Sequence, residues 1–288
     1  MTPHKSFVIL VIAAALWLGL SSLDVIPIPA LFTTQRASAY STTRNPSSRG
    51  LKHTGTSASQ VPTPTASIPS IPSCPGHAAI RARYEAELRL PGNVEKHMPI
   101  LFALASGFAN ITELGVHSVH SSWALARAAS DGATRGERVT YRAVDIARDG
   151  RVTELEAALL QCPGVTFSFT EADDLLIDVW ESNFLFLDTW HTYKQLTREL
   201  ERWPQKVTHY IALHDTVLFA DRDESEAQAS RRKEELFSGL PAREGLRAAV
   251  NEFLQTDEGA NWHIFEHYTN QNGVMVLERK NFVMTVTK

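Results

Sequence analysis

Acidic residues are missing from a long stretch of this chain: between Asp24 and Glu85 there is neither Asp nor Glu. Cysteine is scarce too, at 2 in 288 residues, which excludes a disulfide scaffold and a four-cysteine zinc site and leaves room for one bridge. There is no basic excess, since the formal net charge is -4, so nothing global argues for nucleic acid. What is present is ordinary: 43% hydrophobic, 21% charged and 9% aromatic residues. Those fractions exclude wholesale disorder, collagen and a many-span membrane protein. The acid-free stretch nevertheless divides the chain into two unlike materials.

His4 and Lys5 precede an uncharged run from Ser6 to Leu23, with the apolar block FVILVIAAALWLGL at its centre. A bilayer needs about 20 mostly apolar residues, so the run predicts a short signal anchor or a signal peptide within residues 1–40. Ala37-Ser38-Ala39 has the form of a cleavage site, although Pro27 and Pro29 stand between it and the apolar block. Residues 41–73 are dominated by Ser, Thr and Pro, and their few charges are basic. Such a segment buries too little apolar surface to offset its ordering entropy and predicts an extended, disordered stalk. Anchor, stalk and then globular domain is the layout of a membrane-tethered or secreted enzyme of the secretory pathway.

Residues 74–288 read as one α/β domain. Strand-like segments at Ile111–Leu114, Tyr141–Ile146, Val165–Phe169, Phe184–Leu187 and Tyr210–Leu213 alternate with helical segments. Helices are expected at Glu95–Phe108, Ser122–Ala129, Val152–Leu160, Thr192–Arg202 and Gly245–Leu254. A closing hairpin is expected from Trp262–Tyr268, a turn at Asn270–Gly273, and Val274–Arg279. Alternation of this kind implies a mostly parallel sheet, whose ligands sit beyond the carboxyl ends of the strands. That rule singles out Glu113 and Gly115, Asp145, Glu171, Asp188 and Asp215.

The same residues carry a resemblance. Ile-Thr-Glu113-Leu-Gly115-Val resembles the first-strand motif of class I S-adenosylmethionine-dependent methyltransferases, and Val144-Asp145 their second-strand acidic end. Phe-Leu-Phe-Leu-Asp188-Thr-Trp-His191-Thr-Tyr193, then His214-Asp215-Thr216 and the terminal Tyr-Thr-Asn-Gln-Asn-Gly-Val-Met-Val-Leu-Glu-Arg-Lys, resemble the cephalosporin-hydroxylase-like branch, which includes metal-dependent sugar O-methyltransferases. The resemblance spans roughly Glu95 to Lys280. It implies a Rossmann-like sheet with helices on both faces and an S-adenosylmethionine site at Glu113, Gly115, Asp145, Glu171 and Asp173. It further implies a Mg²⁺ or Mn²⁺ ion held by Asp188 and Asp215, with His191 as general base. In the branch an acidic residue precedes the second aspartate; here it is His214, so His214 joins the metal set as a departure. The acceptor implied is a hydroxyl, on a small molecule or a glycan.

A second departure lies in the first loop. The family's glycine-rich stretch is replaced by Val116-His117-Ser118-Val119-His120, and the side chains at 119 and 120 are expected to crowd the backbone approach that glycine permits. Three other readings stay open. One is a scaffold that keeps the fold with a degenerate cofactor loop. Another is a glycosyltransferase using Asp221-Arg222-Asp223 as an Asp-x-Asp motif. The third is an oxidative hydroxylase using His191, His214 and Asp215. The charged stretch Ala220–Leu240 is expected to form a lid or a solvated helix. Asn110-Ile111-Thr112 is a glycosylation sequon that opens a strand, where modification would obstruct folding. Cys74 and Cys162 are candidates for one disulfide in an oxidising compartment.

Overall fold

A computed structural model describes residues 74–92, 94–225 and 232–280. The expected anchor and stalk, 1–73, lie outside the described residues. Among the described residues no helix is long and apolar enough to cross a membrane.

The chain begins with α1 (His77–Glu87) and α2 (Met98–Ala105), then alternates β1 (Asn110–Leu114), α3 (His120–Thr134), β2 (Val139–Asp145), α4 (Val152–Leu160) and β3 (Val165–Glu171). It continues through β4 (Ser182–Leu187), α5 (Tyr193–Arg202), β5 (Val207–His214), α6 (Arg232–Leu236) and α7 (Leu246–Phe253). It closes with β6 (Trp262–Tyr268) and β7 (Val274–Arg279). The expected elements are all present, most of them with shifted ends. Helix α1 was not foreseen, because only Ile80 and Tyr84 of its apolar side chains are buried and its periodicity is weak.

The strands form one seven-stranded sheet in the order β3-β2-β1-β4-β5-β7-β6. The first five are parallel, and β7 runs antiparallel to both β5 and β6. This is the mixed, Rossmann-like sheet expected. Strands β1 and β4 are buried almost throughout, which is why FLFL shows no alternation. One apolar cluster joins α1, α2, α3 and α4 to one face, with Met98, Leu101, Trp123, Leu155 and Phe186 among its members. A second joins α5 and α7 to the other face through Leu196, Leu200, Val250, Phe253 and Leu213. Helix α5 begins at the N-cap Thr192, whose hydroxyl accepts from the Gln195 N–H at 3.2 Å.

A disulfide joins Cys74, just before α1, to Cys162, just after α4. Bridging residues 88 apart closes a large loop in the unfolded chain, worth about 2–4 kcal/mol in typical cases. Thr112 of the sequon is wholly buried and its hydroxyl accepts from Trp180 Nε1 at 2.9 Å.

The strand order reverses between β1 and β4. Leu114 pairs in register with Leu187, and Leu187 with Leu213, so the residues that follow them emerge side by side at one sheet edge. Gly115 lies at this reversal with φ +84°, and a Cβ there would stand 2.0 Å from the Asp188 carbonyl oxygen. Glycine is required because two loops pass in contact.

Candidate active site at the carboxyl edge of the sheet

Asp188 follows β4 directly, and His214 ends β5 with Asp215 immediately after it. The β4–α5 loop folds His191 back over both. Asp188, His191, His214 and Asp215 each bring one ligand atom to within 4.8 Å of the others. His191 Nε2–H donates to Asp188 Oδ1 at 3.1 Å, and His214 Nδ1 meets the same oxygen at 3.1 Å. His214 Nδ1 also lies 3.1 Å from Asp215 Oδ1, and His191 Nδ1 lies 3.5 Å from Asp215 Oδ2. Asp215 has φ +56°, a conformation Asp tolerates better than most residues, and its carboxylate is buried.

Burial alone would lower the basicity of His191. The Asp188 and Glu224 carboxylates that bond to it outweigh burial and push it up to about 10. Burial would likewise raise Asp188, but His214 and His191 hold it far below the ordinary carboxylate range. His214 moves up because Asp188 and Asp215 overcome its burial. Asp215 moves up with burial, which the two histidines offset only in part. Without a cation, then, protons on the two imidazoles neutralise the carboxylates. A cation of similar charge can take their place, since ligand imidazoles must be deprotonated. Asp215 Oδ1 is buried and accepts no hydrogen bond of good geometry, as suits a carboxylate oxygen meant for an ion. Two carboxylates and two imidazoles are a chemically coherent donor set for a divalent metal.

Three neighbours that the sequence did not point to complete the arrangement. Glu224 Oε2 accepts from His191 Nδ1–H at 3.0 Å and from the His191 backbone N–H at 3.2 Å, while the Glu224 N–H donates to the His191 carbonyl at 2.9 Å. The His191 ring also stacks on Phe219, with centroids 5.1 Å apart and planes 7° from parallel. His97, at the start of α2, is fully buried with its ring edge-on to His214. None has a local motif: His97 comes from a distant part of the chain, and Phe219 and Glu224 from a loop that folds back over His191. Beneath the loop, Gln195 Nε2 donates to Asp174 Oδ1 at 3.1 Å and to Glu199 Oε1 at 2.7 Å, and the Thr189 hydroxyl donates to Glu199. Burial and the Asp174 charge push Glu199 well above the usual carboxylate range. This buried network anchors the loop carrying Asp188 and His191.

On the other side of Gly115 the expected cofactor residues are placed differently. Glu113 is wholly buried and accepts from Ser121 Oγ at 2.6 Å, Ser122 Oγ at 2.8 Å and the Tyr141 hydroxyl. It ties the first turn of α3 to β1 and β2 from inside the core. Gly115 is likewise explained by the close approach to Asp188. Asp145 is half-buried: Oδ2 accepts from the Val116 and His117 N–H groups at 2.7 and 2.8 Å, and Oδ1 from the Ala147 N–H at 3.0 Å. A carboxylate has about four acceptor positions, so one remains for an outside donor. Glu171 ends β3 exposed, in register with Asp145. Asp173 Oδ1 accepts from the Leu175 N–H at 3.0 Å and shapes the turn that follows. Ile146, next to Asp145, is 62% exposed and gives this edge an apolar surface.

The crowding expected from residues 119 and 120 takes another form. Val119 turns into the core, 1% exposed, by adopting φ +64°, and the His120 ring pairs with Glu87 of α1. The Asp-x-Asp reading loses its geometry. Asp223 Oδ1 accepts from the Tyr193 and Gly245 N–H groups, each at 2.7 Å, while Asp221 pairs with Arg247 at the surface. Of the expected lid, residues 226–231 lie outside the described residues, and the part before them clasps His191 through Glu224.

No family model and no curated protein matches the sequence. Among solved structures, the chain is similar to an O-methyltransferase from Bacillus cereus in complex with S-adenosylhomocysteine: 15% identity, 74% of this chain, 94% of that one, TM-score 0.41. It is also similar to the O-methyltransferase TomG from Streptomyces achromogenes, in complex with S-adenosylmethionine: 14% identity, 74% and 92% coverage, TM-score 0.43. A third is the magnesium protoporphyrin IX methyltransferase from Synechocystis with bound S-adenosylhomocysteine: 12% identity, 70% and 98% coverage, TM-score 0.42. Likenesses of this degree do not assign an activity.

Proposed function

We propose that this chain is an S-adenosylmethionine-dependent O-methyltransferase that uses a divalent metal and acts on a hydroxyl, of a sugar or glycan. The observation that supports it most is the Asp188–His191–His214–Asp215 cluster, set back to back through Gly115 with the loop that Asp145 holds. A methyl donor and an activated hydroxyl must meet in line, and two adjoining sites at one strand reversal allow that.

Bound S-adenosylmethionine would supply an electrophilic methyl group. On the chain's side, Asp145 orders the β1–α3 loop and keeps one acceptor position for a ribose hydroxyl. Ile146 gives a flat ring an apolar surface, and Glu171 and Asp173 border the same edge. A divalent ion held by Asp188, Asp215 and His214 would lower the pKa of an acceptor hydroxyl. His191, neutral once a cation takes the place of its extra proton, would accept the acceptor's proton at Nε2. Glu224 keeps the opposite N–H occupied and the ring in place, and Phe219 closes one face of it. The Cys74–Cys162 disulfide suits an oxidising compartment, in keeping with a secreted or membrane-tethered enzyme.

The deciding experiment is isothermal titration of the full chain with S-adenosylmethionine, with and without Mg²⁺ or Mn²⁺, followed by transfer of labelled methyl to a glycan extract. Binding of the cofactor, with transfer abolished by chelator, is expected. No cofactor binding under any condition sinks the proposal. One observation favours a second reading: two imidazoles and a carboxylate are also the ligands of non-haem iron centres. Consumption of dioxygen by the Fe²⁺-loaded chain with a reductant and a hydroxylatable substrate, in place of methyl transfer, would select it.

A further inference from the structure

His214 stands where the resembling branch carries an acid, and its ring has a second side. Nδ1 faces Asp188 and Asp215. Nε2 points away from them, to His97 Nδ1 at 3.4 Å. The two rings meet edge-on, with centroids 5.5 Å apart and planes at 75°. His97 is 0% exposed, and His214 1%. Burying a second cationic ring beside His214 is unfavourable, so His97 is neutral and has one bare nitrogen. With Nδ1 of His214 turned to the carboxylates, its Nε2 is the nitrogen left to carry a proton, and His97 Nδ1 is the atom in reach to accept it.

We propose that His97 is a positioning residue: by accepting the His214 Nε2–H it fixes the tautomer whose Nδ1 lone pair faces Asp188 and Asp215. His214 is then a nitrogen ligand, and the site prefers an imidazole-accepting ion such as Mn²⁺, Fe²⁺ or Co²⁺ to Mg²⁺. The inference rests on the reading of this cluster as a metal site. Ion binding displaces the proton from Nδ1, which leaves to solvent, while the Nε2 proton stays on the His97 hydrogen bond. Second partners of this kind commonly change metal affinity by about ten- to hundred-fold when removed. A carboxylate at 214 would show no such dependence, because it has no tautomer to fix.

The test uses the full chain with ¹⁵N-labelled histidine. Mn²⁺ and Mg²⁺ affinities are measured by titration calorimetry, and pulsed electron paramagnetic resonance of bound Mn²⁺ reads imidazole nitrogen coupling. The wild type should bind Mn²⁺ at least roughly ten-fold more tightly than Mg²⁺ and show histidine coupling. His214→Asp should weaken that coupling and erase the preference. His97→Phe should weaken Mn²⁺ binding about ten- to hundred-fold, with the ion-free melting temperature lowered by several degrees as the His214 Nε2–H loses its acceptor. His97→Gln, which restores an acceptor, should recover most of it. If His97→Phe does not fold, His97→Gln and His214→Asp carry the decision. Mn²⁺ bound with unchanged coupling and preference in His214→Asp, or with wild-type affinity in His97→Phe, overturns the proposal and leaves the metal site standing. Absence of any Mn²⁺ or Mg²⁺ binding by the wild type overturns both.

Discussion

Two pairs of carboxylates lie at the same sheet edge and are satisfied by opposite means. Beyond β1 and β2, Glu113 is held by three hydroxyls and Asp145 by three backbone N–H groups. Beyond β4 and β5, Asp188 and Asp215 are held by two histidines. Hydroxyl and amide donors do not leave at neutral pH, so the first pair is committed to structure and to neutral donors. Imidazole protons can leave, so the second pair can exchange them for a cation. Donor chemistry, rather than carboxylate count, separates the half of the edge proposed to hold a metal from the half that anchors a loop.

The comparison predicts large effects on one side and moderate ones on the other. Asp188→Ala should abolish calorimetric Mn²⁺ binding and reduce methyl transfer by roughly a hundred- to thousand-fold, the scale of removing a preorganised electrostatic group. Cofactor affinity should barely change; a parallel loss of both would mean that the two halves are one site. Asp145→Ala should do the reverse. It frees the Val116, His117 and Ala147 amides, and at about 2–3 kcal/mol of charge-assisted bonding should weaken cofactor binding by about 30- to 150-fold while leaving Mn²⁺ binding alone.

Glu113 gives a pH test of the structural half. Burial, opposed in part by the hydroxyls of Ser121, Tyr141 and Ser122, pushes its carboxyl up to about 7 from an ordinary 4.5. The folded protein therefore holds a proton that the unfolded chain gives up. This contribution to stability is complete below about pH 4.5 and is lost as the pH rises through about 7. Between pH 5 and 7.5 the loss amounts to about 2 kcal/mol. Denaturant unfolding at both pH values should show that difference shrinking in Glu113→Gln. An unchanged difference would mean that Glu113 is ionised in its pocket, like the carboxylates of the other half.

Most of the architecture was legible because period and strand-end position are local signals. Val152–Leu160, Trp262–Tyr268 and Val274–Arg279 have the ends that their patterns suggest. Asp188, His191, His214 and Asp215 were legible as one candidate site, from strand-end position and the family resemblance together, but not in their contacts. Only the register of β4 on β5 brings His191 between the two aspartates. Glu224 and His97 were not legible at all. Their roles depend on a loop folding back and on α2 lying beside β5, which no spacing in the chain records. Glu113 is a different case. A strand-end acid looks the same in sequence whether it faces ligand or the hydroxyls of Ser121 and Ser122.

The smallest expected effect concerns Val119, where the loop departs from glycine. A β-branched residue at φ +64° costs about 1–2 kcal/mol in backbone strain. Its burial, at 1% exposure, returns about 1.5–3 kcal/mol, so the two nearly cancel. Val119→Gly relieves the strain, loses the packing and adds unfolded-chain entropy. The net should be about 1 kcal/mol of destabilisation, or a fall of about 2–4 °C in Tm, well below an ordinary core truncation. Cofactor affinity should stay within about two-fold, because the Asp145 bonds to Val116 and His117 are untouched and the valine faces the core. A marked gain in affinity would show that the side chain holds the loop partly closed, and would make this half of the edge adjustable.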